Sequence, residues 1–224
     1  MSPIIILYGP PMAPFTEKCR RALLLKGVAF SLREPQGPED YQRWSPKTGM
    51  LPVMTIDGEL VTDSTDILLR LDELYPDPPL LSPDPIIAEQ QRSLEDWADE
   101  SFLWYWNQWA RIRPDPSAEN GDADRSTSGA LRRIRAWLAA GGTWERPLTG
   151  ILRGVNDRMV DLVNFLGSRR YFYAEQISMA DLAVYAMLKT MEHDAIPGTA
   201  QLLSQHPNLN EFIGRVEGET DRND

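Results

Sequence analysis

Few residues in this chain have chemistry to offer, and they lie far apart. Tyr8 closes an apolar run, Cys19 is the single cysteine, and Asp63 stands beside Ser64 ahead of a helical pattern. A phenol such as Tyr8 can donate to an anion or simply pack. Cys19 shares a helical stripe with Phe15 and Ala22, so burial competes with reactivity there. Asp63-Ser64 suits a helix cap, and the N–H groups that a cap satisfies are also those that bind a carboxylate. Pro52 opens the β-like run Val53 to Ile56. Proline cannot donate to a sheet, so it belongs at a strand start or edge, with its imide bond in either isomer. Two histidines and one cysteine are too few for a typical zinc site, and no metal is expected.

The elements around these residues fall into two textures. Ile4 to Tyr8 reads as a buried strand, ended by Gly9-Pro10-Pro11. Pro14 opens a helix that Gly27 stops. Ala29 to Arg33 forms a weak second strand, and a polar loop follows. Two strand-like runs around Asp57-Gly58 read as a β-hairpin. Asp63 then caps a helix with the stripe Ile67, Leu68, Leu71, Leu74, Tyr75. A β-α-β unit demands parallel strands and a hairpin demands antiparallel ones, so the sheet is small and mixed.

The proline-rich stretch before Pro85 reads as a linker. Nothing after it reads clearly as strand. One pattern places Leu94, Trp97, Ser101, Trp104, Gln108 and Ile112 on a face, with Phe102, Trp106 and Trp109 on a second. Pro114 to Ser128 reads as a loop, and Leu131 to Leu138 as a helix stopped by Gly141-Gly142. Leu148, Leu152, Val155, Met159, Leu162 and Leu166 mark the strongest amphipathic helix. Ser178 and Asp181 match a capping box. The tail after Gly214 is expected to fray.

The 224 residues carry 23 basic and 33 acidic side chains, a formal charge of −10. That balance argues against a nucleic-acid partner, whose phosphates need clustered cations. No apolar run reaches the ~18 residues of a membrane helix. The N-terminus lacks the basic region of a secretory leader. The expectation is a cytoplasmic protein with no membrane partner.

Three stretches carry a resemblance. Met12-Ala13-Pro14-Phe15-Thr16-Glu17-Lys18-Cys19-Arg20 follows the first strand. Gly49-Met50-Leu51-Pro52-Val53-Met54 precedes Asp63-Ser64. Ser178-Met179-Ala180-Asp181 lies in the helical part. Together they resemble the cytosolic glutathione transferases. The run around Ala13 and the phrase Leu71-Asp72-Glu73-Leu74-Tyr75-Pro76 are most similar to omega-class and bacterial members.

The resemblance implies an α/β thioredoxin-like N-terminal domain, with a mixed four-stranded sheet, and an all-α C-terminal domain. Its ranges are 1–78, a linker at 79–85, and 86–224. It implies glutathione as co-substrate, bound by Phe15, Lys47, Leu51, Pro52, Asp63 and Ser64. Leu51 would pair its backbone with the ligand beside a cis proline. Ser64 would meet the γ-glutamyl carboxylate and Asp63 the amine. Arg43 and Trp44, with Lys47, lie where members hold the glycyl carboxylate. The surplus aromatic face of the long helix reads either as dimer contact or as an apolar wall for the acceptor, formed by Met12, Trp104, Tyr105 and Trp109, and the resemblance implies a homodimer.

Omega-like members carry a cysteine where this chain has Ala13, and many others a serine nearby. A methyl group forms no mixed disulfide, so thiol-disulfide reduction is not expected here. The remaining means of activating the thiol are the Ala13 backbone N–H, Tyr8 and Thr16. The chain then reads as a transferase conjugating glutathione to a hydrophobic electrophile. The competing reading is a non-catalytic binding or interaction module of the same fold.

Overall fold

The computed structural model describes residues 3–113, 145–173 and 175–221. Strand β1 (Ile5–Tyr8) leads into α1 (Pro14–Leu25), β2 (Ser31–Arg33) and α2 (Pro38–Trp44). The hairpin β3 (Val53–Ile56) and β4 (Glu59–Thr62) follows, and then α3 (Ser64–Leu74). The strands form one sheet in the order β2-β1-β3-β4. β1 and β2 are parallel, and the other two pairs are antiparallel. This is the thioredoxin-like arrangement with its four-stranded mixed sheet.

Local chemistry accounts for each turn. Asp57 and Gly58 both take positive φ, 49° and 87°, as the two-residue hairpin requires. Gly27, at φ 62°, ends α1, with its N–H on the Leu24 carbonyl and that of Val28 on Leu23. α2 departs from the expected polar loop. Gly37 precedes Pro38 at the first helical position, and Glu39 and Asp40 occupy the positive first turn.

The helical part comprises α4 (Pro85–Ile112), α5 (Glu145–Leu166), α6 (Met179–Glu192), α7 (Thr199–Leu203) and α8 (Pro207–Thr220). The expected loop at Pro114 to Ser128, the helix at Leu131 to Leu138 and the Gly141-Gly142 stop lie outside the described residues. α6 is the axis of this part, because every residue from Met179 to Leu188 is buried. Its capping box forms as expected. Asp181 Oδ2 accepts from the Ser178 N–H at 2.9 Å and from its hydroxyl at 2.6 Å. The α5 stripe buries Val155, Met159, Leu162 and Leu166.

Two expectations, on α4 and on the tail, need revision. The buried side of α4 is Leu94, Glu95, Ala98, Phe102 and Tyr105, a different face from the one the apolar spacing indicated. The proline-rich stretch is tied to both parts at Leu80. Leu80 is buried, its N–H bonds to Asp72 at 2.7 Å, and its carbonyl accepts from Met179 at 2.9 Å. The tail is ordered to Thr220, since Val216 and Thr220 are buried and Arg21 reaches Thr220 and Asp221.

One buried cluster joins the two parts. Lys18 of α1 is wholly out of solvent, with Nζ 2.5 Å from Glu95 Oε1 and 2.6 Å from Asp99 Oδ2, both on α4. The Thr65 hydroxyl of α3 also donates to Glu95 Oε1, at 2.8 Å. Removing one partner from such a cluster strands a buried charge and costs about 3–5 kcal/mol. Lys18→Met should therefore lose about that much in chemical denaturation. Adding Glu95→Gln should restore part of the loss, because the stranded charge is gone. Equal midpoints for wild type and Lys18→Met would contradict this role.

Candidate glutathione site

Strand register sets the site. Tyr8 pairs with Arg33 and with Val53, and Val53 pairs with Thr62. These four residues form one row across the end of the sheet. Gly9, Pro52 and Asp63 each lie one residue beyond that row. The loop into α1, the Leu51-Pro52 step and the start of α3 therefore open at the same edge. The Leu51-Pro52 bond is cis.

At α3, Asp63 is the cap, and its carboxylate accepts from the Thr65 N–H at 2.9 Å. Asp63 takes φ 78°, a sparsely populated region for a residue with a side chain, and such outliers concentrate at ligand sites. Ser64 is buried beside it, and its carbonyl faces the Cys19 thiol at 3.8 Å. Asp63 thus presents an exposed carboxylate, and Ser64 a hydroxyl at the positive end of a helix.

At α1 the geometry differs from expectation. The Ala13 N–H donates to the Pro10 carbonyl at 3.0 Å, closing a turn, so it is already engaged. Pro14 has no N–H. Ala13 offers no side-chain cap, so the first-turn N–H groups are those of Phe15 and Thr16. Thr16 itself points inward. Its hydroxyl is buried without a hydrogen-bond partner, and a Cβ added at Gly9 would stand 2.3 Å from it. Gly9 is therefore required where the loop crosses α1.

The other expected residues sort by what they touch. The Tyr8 ring packs 4.9 Å from Trp44, with Arg33 over its other neighbourhood at 5.9 Å. Arg43 lies 5.5 Å over Trp44 and pairs with Asp40 at 2.5 Å. Tyr8 is thus part of a stack of two rings and two cations. Lys47 is exposed in the turn after α2. Cys19 is fully buried, and burial pushes its thiol pKa up, so it is no nucleophile.

The aromatic residues of α4 divide between two faces. Trp104 is 56% exposed and meets Tyr105 edge-on at 4.7 Å. Tyr105 packs where Gly154 of α5 leaves room. The aromatic group at the start of α1 is instead Phe15, with Phe102 edge-on at 6.3 Å and Trp106 stacked on Phe102 at 6.2 Å. Phe102 and Trp106 were not among the expected pocket residues. Their four-residue spacing was the signal, since it repeats one face of a helix.

Residues 7–79 match the family model for the glutathione S-transferase N-terminal domain, and residues 155–221 that for the C-terminal domain. The chain belongs to the glutathione S-transferase family. A probable glutathione S-transferase GSTU1 from Oryza sativa subsp. indica is 31% identical over 144 residues, covering 57% of this chain and 58% of that protein. Glutathione S-transferase U7 of Arabidopsis thaliana is 30% identical over 99 residues, covering 43% and 44%. The chain thus matches about half the length of these curated relatives. Among solved structures, β-etherase LigF from Sphingobium sp. strain SYK-6 superposes with a TM-score of 0.70 at 20% identity, covering 98% of both chains. Rice GST1 in complex with glutathione gives 0.65 at 18% identity, covering 100% and 92%. At these identities the superpositions speak for the fold. Among the described residues no helix is long and apolar enough to cross a membrane, and no cluster of acids, histidines and cysteine is set to hold a metal.

The buried cluster beneath the site is pH-sensitive. Burial raises the Asp99 carboxyl to about 6, against the pull of Lys18. For Lys18, burial works to lower the pKa, but Asp99 and Glu95 outweigh it and hold the ammonium above its ordinary value. A raised carboxyl pKa means the fold binds the Asp99 proton more tightly than the unfolded chain does. Its stabilising contribution is complete below about pH 4 and is lost as pH rises through about 6. Asp99→Asn lacks that dependence. Its denaturation midpoint relative to wild type should rise between pH 4 and pH 7, and a constant difference would contradict the assignment.

Proposed function

We propose that this chain binds glutathione along the sheet edge and conjugates its sulfur to a hydrophobic, aromatic electrophile. The reading rests on the row Arg33–Tyr8–Val53–Thr62, which brings three binding elements to one edge. Leu51 and Pro52 offer main-chain groups at the start of β3 for an extended peptide to pair with. Asp63 meets the ligand's amine, and Ser64 with the α3 N-terminus meets its carboxylate. Lys47, Arg43 and Trp44 line the glycyl end, and Phe15 flanks the cysteinyl part.

Activation falls to the positive end of α1. A free thiol has a pKa of about 8.5, which a helix N-terminus lowers. With the Ala13 N–H committed to Pro10, the donors are Phe15 and Thr16. Tyr8 serves the site as packing. The thiol sheds its proton to solvent, the sulfur attacks the acceptor's electrophilic carbon, and the leaving group departs with its electron pair. Holding both reactants together supplies the rest of the rate. Phe102 and Trp106, beside Phe15, are the acceptor's apolar walls together with Met12 and Trp109, whereas Trp104 and Tyr105 lie on another face of α4.

Ala13 itself favours a second reading, a glutathione-binding module without transfer, since no side chain there reaches the sulfur. Within the family, the resemblance of the Ala13 run supports kinship with omega-class and bacterial members. Domain boundaries at 1–78 and 86–224, a cytoplasmic location and a homodimer complete the proposal. Exposed Leu60 and Leu74 on the first domain, and Leu103, Trp104 and Val160 on the second, are apolar groups for that contact.

Calorimetry separates the readings. Glutathione should bind the wild type, and glutathione with an aryl halide should yield conjugate. Asp63→Gly keeps a residue suited to positive φ and costs only a few tenths of a kcal/mol as a cap. Its stability should hardly move, yet glutathione affinity should fall by about tenfold or more, the scale of a lost charge-assisted contact. Binding without conjugate favours the module. No heat from glutathione with folded protein would remove both.

A further inference from the structure

Two thioethers stand exposed in the loops that lead into α1 and β3. Of the eight methionines, Met1 lies outside the described residues. Met54, Met159, Met179, Met187 and Met191 are all 3% exposed or less, whereas Met12 is 58% and Met50 67% exposed. Met12 immediately precedes Ala13, and Met50 immediately precedes Leu51. Oxidation of methionine by peroxides follows access to the sulfur, so these two are the reactive pair among the described methionines.

Their surroundings differ. The Met50 N–H bonds to the Thr48 hydroxyl at 3.2 Å, and its side chain faces solvent. Met12 lines a cavity of about 160 Å³ between the start of α1 and the end of α6. Arg20, Arg21, Lys189, Thr190 and His193 share that wall, and Glu17 supplies a carboxylate to it. Arg20 gives Nε and Nη2 to Glu17, at 2.6 and 2.9 Å. Arg21 serves Glu17, Thr220 and Asp221. Lys189 bonds to Glu192 at 2.5 Å and to Glu217 at 2.8 Å. A guanidinium has five N–H groups and an ammonium three, so Arg20 and Lys189 keep donors beyond these bonds.

We propose that Met12 is a peroxide-oxidation site whose sulfoxide this cavity receives. The thioether sulfur takes one oxygen from a hydroperoxide. An S–O bond forms and the O–O bond breaks. Sulfur loses two electrons, and the peroxide leaves as water or an alcohol. The thioether is a weak acceptor, whereas the sulfoxide oxygen is a strong one facing Arg20 and Lys189. An apolar wall beside Ala13 becomes polar, so the acceptor side of the groove loses affinity for apolar groups. The contacts at Leu51, Asp63 and Ser64 are untouched. The consequence for binding rests on the glutathione reading; the modification itself does not.

The test is limited hydrogen peroxide followed by peptide mapping. Met12 and Met50 should gain one oxygen, roughly 16 Da, before any buried methionine does. In Met50→Leu protein, peroxide should weaken S-hexylglutathione by about threefold or more while glutathione binds as before. Methionine sulfoxide reductase should restore the affinity. Met12→Gln, which places an acceptor amide at the same wall, should show the weakened state without peroxide. Oxidation of buried methionines ahead of Met12, or full Met12 oxidation with S-hexylglutathione binding unchanged, overturns the proposal. If neither ligand binds untreated protein, the glutathione reading fails, and the order of oxidation alone decides whether Met12 is the site.

Discussion

A lysine ammonium taken entirely out of water dictates how the first domain sits on the helices. Lys18 has no solvent to return to, so Glu95 and Asp99 must face it, and α4 cannot slide or rotate against α1 without stranding a charge. Thr65 joins the same carboxylate and ties α3 into the arrangement. The N-termini of α1 and α3, the two positive ends at the site, are thereby set relative to one another from beneath. Glu95 Oε2 stays buried without a protein partner, so the cluster is held by geometry more than by full satisfaction of its polar atoms.

The sheet fixes the same two helix ends from above. The strand ends share one level, and each connection leaving that level begins with a special residue. Gly9 makes room for Thr16, and Asp63 holds a positive φ that its surroundings enforce. A second set of ties runs along the other side of α1. Glu17 takes both Arg20 and Arg21, Tyr185 approaches Glu17 at 3.3 Å, and Arg21 reaches the end of α8. The Asp72 carboxylate bridges Lys26 and the Leu80 N–H. This is why Leu71-Asp72-Glu73-Leu74-Tyr75-Pro76 stands where it does, as structure rather than chemistry.

Much of this was legible from residues alone. Asp57-Gly58, the Asp63 cap, the Ser178/Asp181 box and the stripe from Leu148 to Leu166 each carry a local signature that tertiary structure did not overrule. The orientation of α4 was not legible. Its buried side contains Glu95, and a carboxylate at a core position hides an apolar stripe until its partner on a distant helix is known. The order of the tail had the same cause, since Arg21, some two hundred residues away in sequence, holds Thr220. α2 was missed although Gly37-Pro38 and the acids after it signalled a start, because its short run has little apolar periodicity. At the site, Pro52 as a strand start and Asp63-Ser64 as a helix start were legible locally, while their part in a ligand site came from the resemblance alone. The engagement of the Ala13 N–H by Pro10 depends on how the loop folds back, which no residue type announces.

The central claim is that one extended tripeptide lies along this edge, and amide-resolved NMR titration with glutathione addresses it directly. The account predicts saturable shifts at the amides of Phe15, Thr16, Leu51 and Ser64, grouped at the end of the sheet, with α5 unmoved. Shifts absent from those four amides at saturating ligand, or confined to the helical domain, would contradict it.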